Sequence, residues 1–356
     1  MKIYIISGEE SGDLYGSLLV EQLLIEDKDL IIRGIGGDKM KSFGIEISQH
    51  ISEFSIMGLK QVLLNLYSLN KKINLCKSDI QIFKPDLLIL IDFPGFNFRL
   101  LKFAKKNNIK VIYYISPKVW AWDKNRIKKI RRYVDELIVI FPFEVDFFNA
   151  QGIDAKYFGN PLTDRIRYFN KKINRDKEII SLLPGSRKQE VKRILPIMLE
   201  VTNSFPDYHF VIATTREMSS LCKLLSENYN IEIIVDQTYS VLNSSKISII
   251  TSGTATLEAA LLRVKQVVCY KTDFATFLLA KILLKIKWIS LVNILMNKEV
   301  VKELIQDRLC SKNLKNEIIR TLRNQNSIIS EYENLIKLLR SKNVSSKVAR
   351  FILEKK

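Results

Sequence analysis

Residues 87–97 read Leu-Leu-Ile-Leu-Ile-Asp-Phe-Pro-Gly-Phe-Asn, and their character changes between Ile91 and Asp92. An unbroken apolar run that stops at turn residues is how a strand buried on both faces reads. The same design recurs along the chain. In the first half the runs are Ile3–Ser7, Ile31–Gly34, Leu87–Ile91, Val111–Ile115 and Leu137–Phe141. In the second they are Ile179–Leu183, Phe210–Ala213, Ile231–Val235, Ile247–Thr251 and Val267–Tyr270. Helix-length segments separate them, which predicts an α/β protein with parallel, doubly wound sheets. The tail from Asn326 onward lacks such runs and reads as helices.

At 356 residues the chain exceeds what one core usually supports, so two domains are expected. The break falls near Asp164–Lys177, DRIRYFNKKINRDK, which is polar and basic. The expected division is residues 1–165, a linker at 166–177, a second domain at 178–340, and a C-terminal helix at 341–356 that can pack back on the first domain.

Composition excludes several classes. Hydrophobic residues at 47% and charged residues at 26% describe an ordered globular chain. The four cysteines, Cys76, Cys222, Cys269 and Cys310, form no CxxC pair, and there are only two histidines, His50 and His209. A zinc site therefore lacks clustered ligands, and no metal is expected. The start shows no secretory h-region, and the most apolar stretch, Phe274 to Val292, is broken by Lys281, Lys285 and Lys287. The expectation is a cytoplasmic protein, soluble or lying on a membrane surface. A net charge of +18 suits phosphate groups or acidic headgroups, although lysine-rich drift in composition explains it equally well. Charge alone also suggests nucleic acid, but no motif supports that partner.

In open parallel sheets ligands bind beyond the carboxyl ends of the strands, so the segments following the runs hold the candidates. Gly8-Glu9-Glu10-Ser11-Gly12-Asp13 leads into a helix predicted near Leu14; amides could approach a ligand there, or Asp13 could simply cap the turn. Asp92 stands where a general base would, although an Asx-type turn before Pro94 is the plainer reading. In Pro184-Gly185-Ser186-Arg187-Lys188-Gln189, Ser186 and Gln189 have capping-box spacing. Arg187 in the first turn opposes the helix dipole unless an anion is present, so it reads either as a diphosphate clamp or as a solvated arginine. Ser252-Gly253-Thr254 would present amides to phosphate, with Glu258 a turn further in for ribose hydroxyls.

Two further stretches bear on acceptor and surface. Ser116-Pro117-Lys118-Val119-Trp120-Ala121-Trp122 precedes a basic helix carrying Lys124, Arg126, Lys128, Lys129, Arg131 and Arg132. Such a face is ordinarily just solvated, but it can hold anionic headgroups. Val62–Leu69, with Leu63, Leu64, Leu66, Tyr67 and Leu69, is either core or an exposed membrane-contacting patch.

Taken in order, GEESGD (8–13), MGLKQVL (57–63), IDFPGFN (91–97), SPKVWAW (116–122), FPFE (141–144), LLPGSR (182–187), SGTATLEA (252–259) and SLVNILMNKEVVKEL (290–304) resemble the lipid-A-disaccharide synthase family. The resemblance implies two Rossmann-like domains with parallel sheets facing a central cleft, the GT-B architecture, and an inverting glycosyltransferase that uses no metal or other cofactor. It implies UDP-2,3-diacylglucosamine as donor and 2,3-diacylglucosamine 1-phosphate as acceptor, at the cytoplasmic face of an anionic inner membrane. Asp92 matches the family's proposed base. Arg187, Ser186, Ser252, Gly253, Thr254, Glu258, Asn293 and Glu299 match donor positions. Gly8, Glu9, Ser11, Gly12, Trp120 and Arg126 are the acceptor candidates.

There are departures. Gly159-Asn160-Pro161-Leu162-Thr163-Asp164 has Asn160 where the family pattern has histidine, and Gly95 stands where some members carry a second acid. The alternatives are a UDP-sugar 2-epimerase of the same architecture or a non-catalytic two-lobed binding protein. A homodimer is compatible with either enzyme.

Overall fold

Every one of the apolar runs forms a strand, and each strand pairs in parallel with its neighbours. The computed structural model describes residues 1–54, 59–116, 124–167, 169–273, 277–278, 287–323, 325–339 and 341–355; the side chains of 59–67, 124–125 and 325–326 lie outside that description. The chain divides into unit 1, Met1–Asp164 with Leu339–Lys356, and unit 2, Arg165–Leu338.

Unit 1 contains β1 (Lys2–Ile6), β2 (Ile31–Gly36), β3 (Glu46–His50), β4 (Leu87–Ile91), β5 (Lys110–Tyr114), β6 (Glu136–Val139) and β7 (Ala155–Tyr157), in the order β3-β2-β1-β4-β5-β6-β7. Unit 2 contains β8 (Ile179–Leu183), β9 (His209–Thr214), β10 (Glu232–Val235), β11 (Ser245–Thr251), β12 (Lys265–Tyr270) and β13 (Lys302–Ile305), in the order β10-β9-β8-β11-β12-β13. Both sheets are Rossmann-like: the chain builds outward from β1 or β8 in one direction, then returns to build in the other. The strand order reverses between β1 and β4 and between β8 and β11, and the crevice at such a reversal is where a ligand fits.

The helices of the first part of the chain are α1 (Glu10–Glu26), α2 (Asp38–Lys41), α3 (Leu59–Phe83), α4 (Pro94–Asn97), α5 (Leu101–Lys106), α6 (Lys124–Tyr133), α7 (Pro142–Asn149) and α8 (Leu162–Arg167), the last straddling the boundary. Those of unit 2 are α9 (Lys188–Glu200), α10 (Arg216–Leu225), α11 (Thr238–Asn243), α12 (Thr254–Leu261), α13 (Leu291–Met296), α14 (Ser311–Arg323) and α15 (Gln325–Leu339); α16 (Val344–Leu353) returns to unit 1. Among the described residues no helix is long and apolar enough to cross a membrane.

The central strands are buried on both faces, and the few polar side chains within them pair inside the core, as Ser181 of β8 does by donating to Ser248 Oγ of β11 at 2.7 Å. All five residues of β4 and all five of β8 are buried. Tyr4, Leu88, Leu90, Val111 and Tyr113 pack with Ile73, Cys76 and Ile80 of α3. In unit 2, Ile180, Leu182, Ile249 and Val267 meet Val191, Ile194, Leu195 and Met198 of α9 on one face. On the other face Leu183, Val211 and Ile250 meet Val241 and Ala259. Each such burial contributes ~1.5–3 kcal/mol, so these contacts set the strand registers. One buried polar group is fastened within this core. The Tyr4 hydroxyl donates to Asp79 of α3 at 2.6 Å, and Arg33 pairs with Asp79 at 2.7 Å. Burial pushes the neighbouring Cys76 thiol up to about 12, which leaves it unreactive.

β3, β7 and β13 are absent from the apolar-run reading, and all three are edge strands. Their sequences, EISQH, AKY and KELI, are polar or short because one side lacks a partner. Residues 166–177, expected to be a linker, are fastened to unit 2. The Ile173 amide donates to Ser244 Oγ at 2.6 Å, Asn243 donates to the Lys171 carbonyl at 3.2 Å, and Arg175 Nε donates to Glu232 at 2.8 Å. α16 is fastened to unit 1. Asp164 accepts from the amides of Asn343, Val344 and Ser345 at 3.0, 2.5 and 3.4 Å, and Arg350 donates to Glu26 of α1 at 2.8 Å.

Asp164→Ala leaves the first amides of α16 without their acceptor and is expected to cost about 2 kcal/mol, with faster hydrogen exchange confined to residues 344–353. Unchanged exchange there would show that the cap is not what holds the helix. Arg175, with His209 at 2.9 Å, holds Glu232 down to about 2, below its ordinary 4.5. Its stabilisation is therefore present above pH ~4.5 and is lost as pH falls toward 2. Glu232→Gln is expected to lower stability by about 1 kcal/mol at pH 7, after allowing for solvent screening, and to match wild type near pH 2. A pH-independent gap in urea midpoints would contradict this linkage.

Candidate active site

The segments that follow β1 and β4 meet at the strand-order reversal of unit 1. α1 begins at Glu10, earlier than the expected Leu14, so Ser11 and Gly12 lie in its first turn. Asp13 does not cap α1. It is buried and accepts from the amides of Gly37, Lys39 and Met40 at 2.6, 3.0 and 3.2 Å, tying α1 to the start of α2. Burial raises its carboxyl above the ordinary range against the pull of those amides. Gly8 and Gly12 serve packing. A Cβ at Gly8 would fall 2.2 Å from the Phe93 ring, and one at Gly12 would fall 3.1 Å from Ser7 Cβ. Of the acceptor candidates in this loop, Glu9 is exposed and Ser11 half-buried.

Asp92 stands directly after β4 with φ 41°, and Phe93 follows with φ 45°. Two consecutive non-glycine residues in the left-handed region store strain, of order 1–3 kcal/mol each, unless the surroundings hold them. The surroundings do hold them. The Asp92 amide points at the Ile115 and Tyr114 carbonyls at 3.2 and 3.4 Å. Its carbonyl accepts from Tyr113 Oη at 2.6 Å and Asn97 Nδ2 at 2.7 Å. Phe93 stacks on Phe96 at 5.3 Å and meets Phe54 edge-on at 5.6 Å.

Burial, then the Asp92 carboxylate, push the Tyr113 hydroxyl well above its ordinary value, while Arg126 pulls the other way. Asp92 and Arg126 are thus within electrostatic reach of the same hydroxyl. Arg126 also covers the Phe98 ring at 5.4 Å. Trp120 lies outside the described residues. Ser116 is buried and donates to Glu144 at 3.3 Å. Glu144, from the FPFE block, also accepts from the Phe141 amide at 3.1 Å. Asn160, in place of histidine, is fully buried. Its Oδ1 accepts from the Leu162 amide at 3.0 Å and its Nδ2 donates to the Ile140 carbonyl at 3.4 Å, so it acts as the cap of α8.

In unit 2 the segments after β8 and β11 meet at the second reversal. The capping box read from Ser186 and Gln189 does not form. Gly185 takes φ +107°, α9 starts at Lys188, and Arg187 is its N-cap with no side-chain cap. The Arg187 guanidinium is exposed and lies 3.4 Å from Glu190. A Cβ at Gly185 would fall 2.6 Å from the movable Glu190 carboxylate, so it is the backbone conformation that requires glycine here. Gly253, the N-cap of α12, differs: its backbone is extended, and among the described residues nothing lies within 4 Å of the place where a Cβ would be. Ser252 is held by its hydroxyl, which donates to the Ile289 carbonyl at 2.9 Å, and Thr254 opens α12. Glu258 is buried and accepts from Tyr239 at 2.8 Å.

Asn293 is fully buried with its side chain engaged throughout. Nδ2 donates to the Val301 carbonyl and Glu303 at 2.8 and 2.9 Å, and Oδ1 accepts from the Val300 and Val301 amides at 2.8 and 3.0 Å. It shapes the loop that carries Glu299, which is exposed and paired with Lys302 at 3.0 Å. Glu303, missed in the sequence because it sits in an edge strand, accepts from the Ser290 amide at 2.9 Å and fixes the start of α13. Of the membrane-contact candidates, Leu69 packs against the unit 1 core, while Leu63, Leu64, Leu66 and Tyr67 lie outside the described side chains. Among the described residues no three His, Cys, Asp or Glu side chains converge as a metal site requires.

The chain matches the family model described as lipid-A-disaccharide synthetase over residues 3–354. The lipid-A-disaccharide synthase of Sulfurihydrogenibium sp. is 38% identical, covering 94% of this chain and 92% of the relative. That of Coxiella burnetii is 32% identical, covering 98% and 97%. Among solved structures, the S. aureus MnaA–UDP co-structure aligns with a TM-score of 0.69 at 14% identity, covering 99% of this chain and 95% of the other. The spinosyn rhamnosyltransferase SpnG complexed with thymidine diphosphate aligns at 0.65 and 10%, covering 99% and 100%. At such identities these last two show the fold, the one shared by GT-B glycosyltransferases and epimerases. Matched along its whole length in sequence and in fold, the chain belongs to the lipid-A-disaccharide synthase family of glycosyltransferases.

Proposed function

We propose that the chain condenses UDP-2,3-diacylglucosamine with 2,3-diacylglucosamine 1-phosphate, giving the β(1→6) disaccharide 1-phosphate and UDP. The observation that carries this reading is the placement of chemistry at the two strand-order reversals. A carboxylate on strained backbone ends β4, and an exposed arginine with a small-residue helix start ends β8 and β11.

Asp92 takes the proton of the acceptor 6-hydroxyl as that oxygen bonds to the anomeric carbon. The bond from that carbon to UDP breaks on the opposite face, and its electron pair leaves with the diphosphate. The configuration inverts. Arg187 and the amides opening α12 meet the growing charge with donors fixed in advance, a contribution often worth ~3–4 kcal/mol per donor. No resident cofactor is called for in this scheme. The acceptor is assigned to unit 1, whose strand-order reversal carries Asp92, and the nucleotide to unit 2, whose reversal carries Arg187 and the start of α12. UDP recognition is supported by fold neighbours solved with UDP or UDP-GlcNAc. An epimerase shares the fold, but the relatives at one third identity carry the synthase name.

Lys128, Lys129, Arg131 and Arg132 are exposed on α6, while Ile127 and Ile130 are buried beneath them. This supports peripheral association with the anionic cytoplasmic face of a membrane, where both acylated substrates would reside.

Incubation with the two acylated sugars should release UDP and give the disaccharide by mass spectrometry. Asp92→Asn is expected to retain UDP affinity and lose at least ~100-fold in turnover. Arg187→Ala is expected to weaken UDP about tenfold or more. Wild-type turnover in the Asp92→Asn protein removes the base assignment. The glycines separate ligand approach from folding: Gly185→Ala should lower the melting temperature, whereas Gly253→Ala should leave it unchanged and weaken UDP. Undiminished UDP binding by Gly253→Ala would move the phosphates elsewhere.

A further inference from the structure

We propose that Tyr113 is a positioning residue for Asp92, acting through the peptide that joins Asp92 to Phe93; the proposal rests on Asp92 being the base. Tyr113 is on β5, fully buried, and its register partner on β4 is Leu90, two residues before Asp92. From there its hydroxyl reaches the Asp92 carbonyl at 2.6 Å. Asn97, also fully buried, supplies a second donor to the same oxygen at 2.7 Å. A carbonyl oxygen has two lone pairs, and both are used.

The orientation of that carbonyl sets ψ of Asp92 and φ of Phe93, the two torsions on either side of one peptide plane. Neither residue adopts the left-handed region without help, and Phe93 gains no local hydrogen bond from its side chain there. The Asp92 amide is tied to the carbonyls of Tyr114 and Ile115. β5 therefore grips Asp92 from both sides of its Cα: main chain on the amide, Tyr113 side chain on the carbonyl. The direction in which the carboxylate leaves the backbone follows from that double hold. With the hydroxyl gone, one donor remains and the peptide plane gains freedom to rotate, which displaces the carboxylate relative to the acceptor oxygen. Tyrosine is suited to this task. Burial and the nearby Asp92 charge keep its hydroxyl protonated, so it remains a donor while the acid cycles.

The test is a double-mutant cycle on the full chain, reading kcat and KM for both acylated sugars. Tyr113→Phe is expected to lower kcat about 10- to 100-fold with KM within about twofold, because a ~1 Å displacement of a reacting group is enough for such a loss. In the Asp92→Asn background the same substitution should leave the residual turnover unchanged, since no base remains to be aimed. Asn97→Ser, which replaces the amide donor with a shorter hydroxyl, should show the same pattern, and melting curves report whether each variant folds. Slow Asp92→Asn with wild-type kcat in both Tyr113→Phe and Asn97→Ser overturns the positioning role alone. An equal fractional loss in both backgrounds also overturns it, by showing a general structural effect. Wild-type kcat in Asp92→Asn overturns the base reading, and the proposal with it.

Discussion

The burial of β1, β4, β8 and β11 on both faces is the constraint from which the rest follows. Strands sealed above and below can meet a ligand only at their ends. Parallel pairing places all the carboxyl ends of a sheet along one edge. The reversal of strand order then opens a gap on that edge in each unit. Asp92, the 8–13 loop, Arg187 and the start of α12 are all found at these gaps. Nothing else in either unit has to be arranged for them to meet their neighbours.

The two gaps are furnished differently. In unit 1 the carboxylate stands on a backbone that is costly to hold, and buried side chains from β5 and α4 hold it. In unit 2 the groups assigned to phosphate are an exposed arginine and a glycine whose Cβ position no described residue crowds. A reacting group needs a fixed direction, and a diphosphate needs room and donors; the local physics of each unit suits its assigned role. Asn160 fits this division. Where the family pattern has histidine, this chain uses an amide as the cap of α8, a task that needs hydrogen bonds and no titration.

The central strands were legible because apolar runs such as Leu87–Ile91 can be little else. Edge strands such as EISQH were not, since an unpaired side tolerates polar residues and breaks the run. The site was legible to the level of loops, and less so to the level of side chains. Ser186 and Gln189 have the right spacing for a capping box, but Gly185 turns the chain so that α9 starts one residue later than that box requires. Asn293 looked like a ligand contact and is instead consumed by its own loop. Tyr113 carried no signal, because a tyrosine inside an apolar strand reads as core until the partner of its hydroxyl is known.

α16 is held by Asp164 of α8 and by Glu26 of α1, so unit 1 is made from two separate stretches, 1–164 and 339–356, with unit 2 inserted between them. On the ribosome, residues 1–164 emerge first, yet they wait for the whole of unit 2 before their last helix is released. Through that interval α1 lacks the helix that packs against it. The half of the protein translated earliest is thus the half completed last.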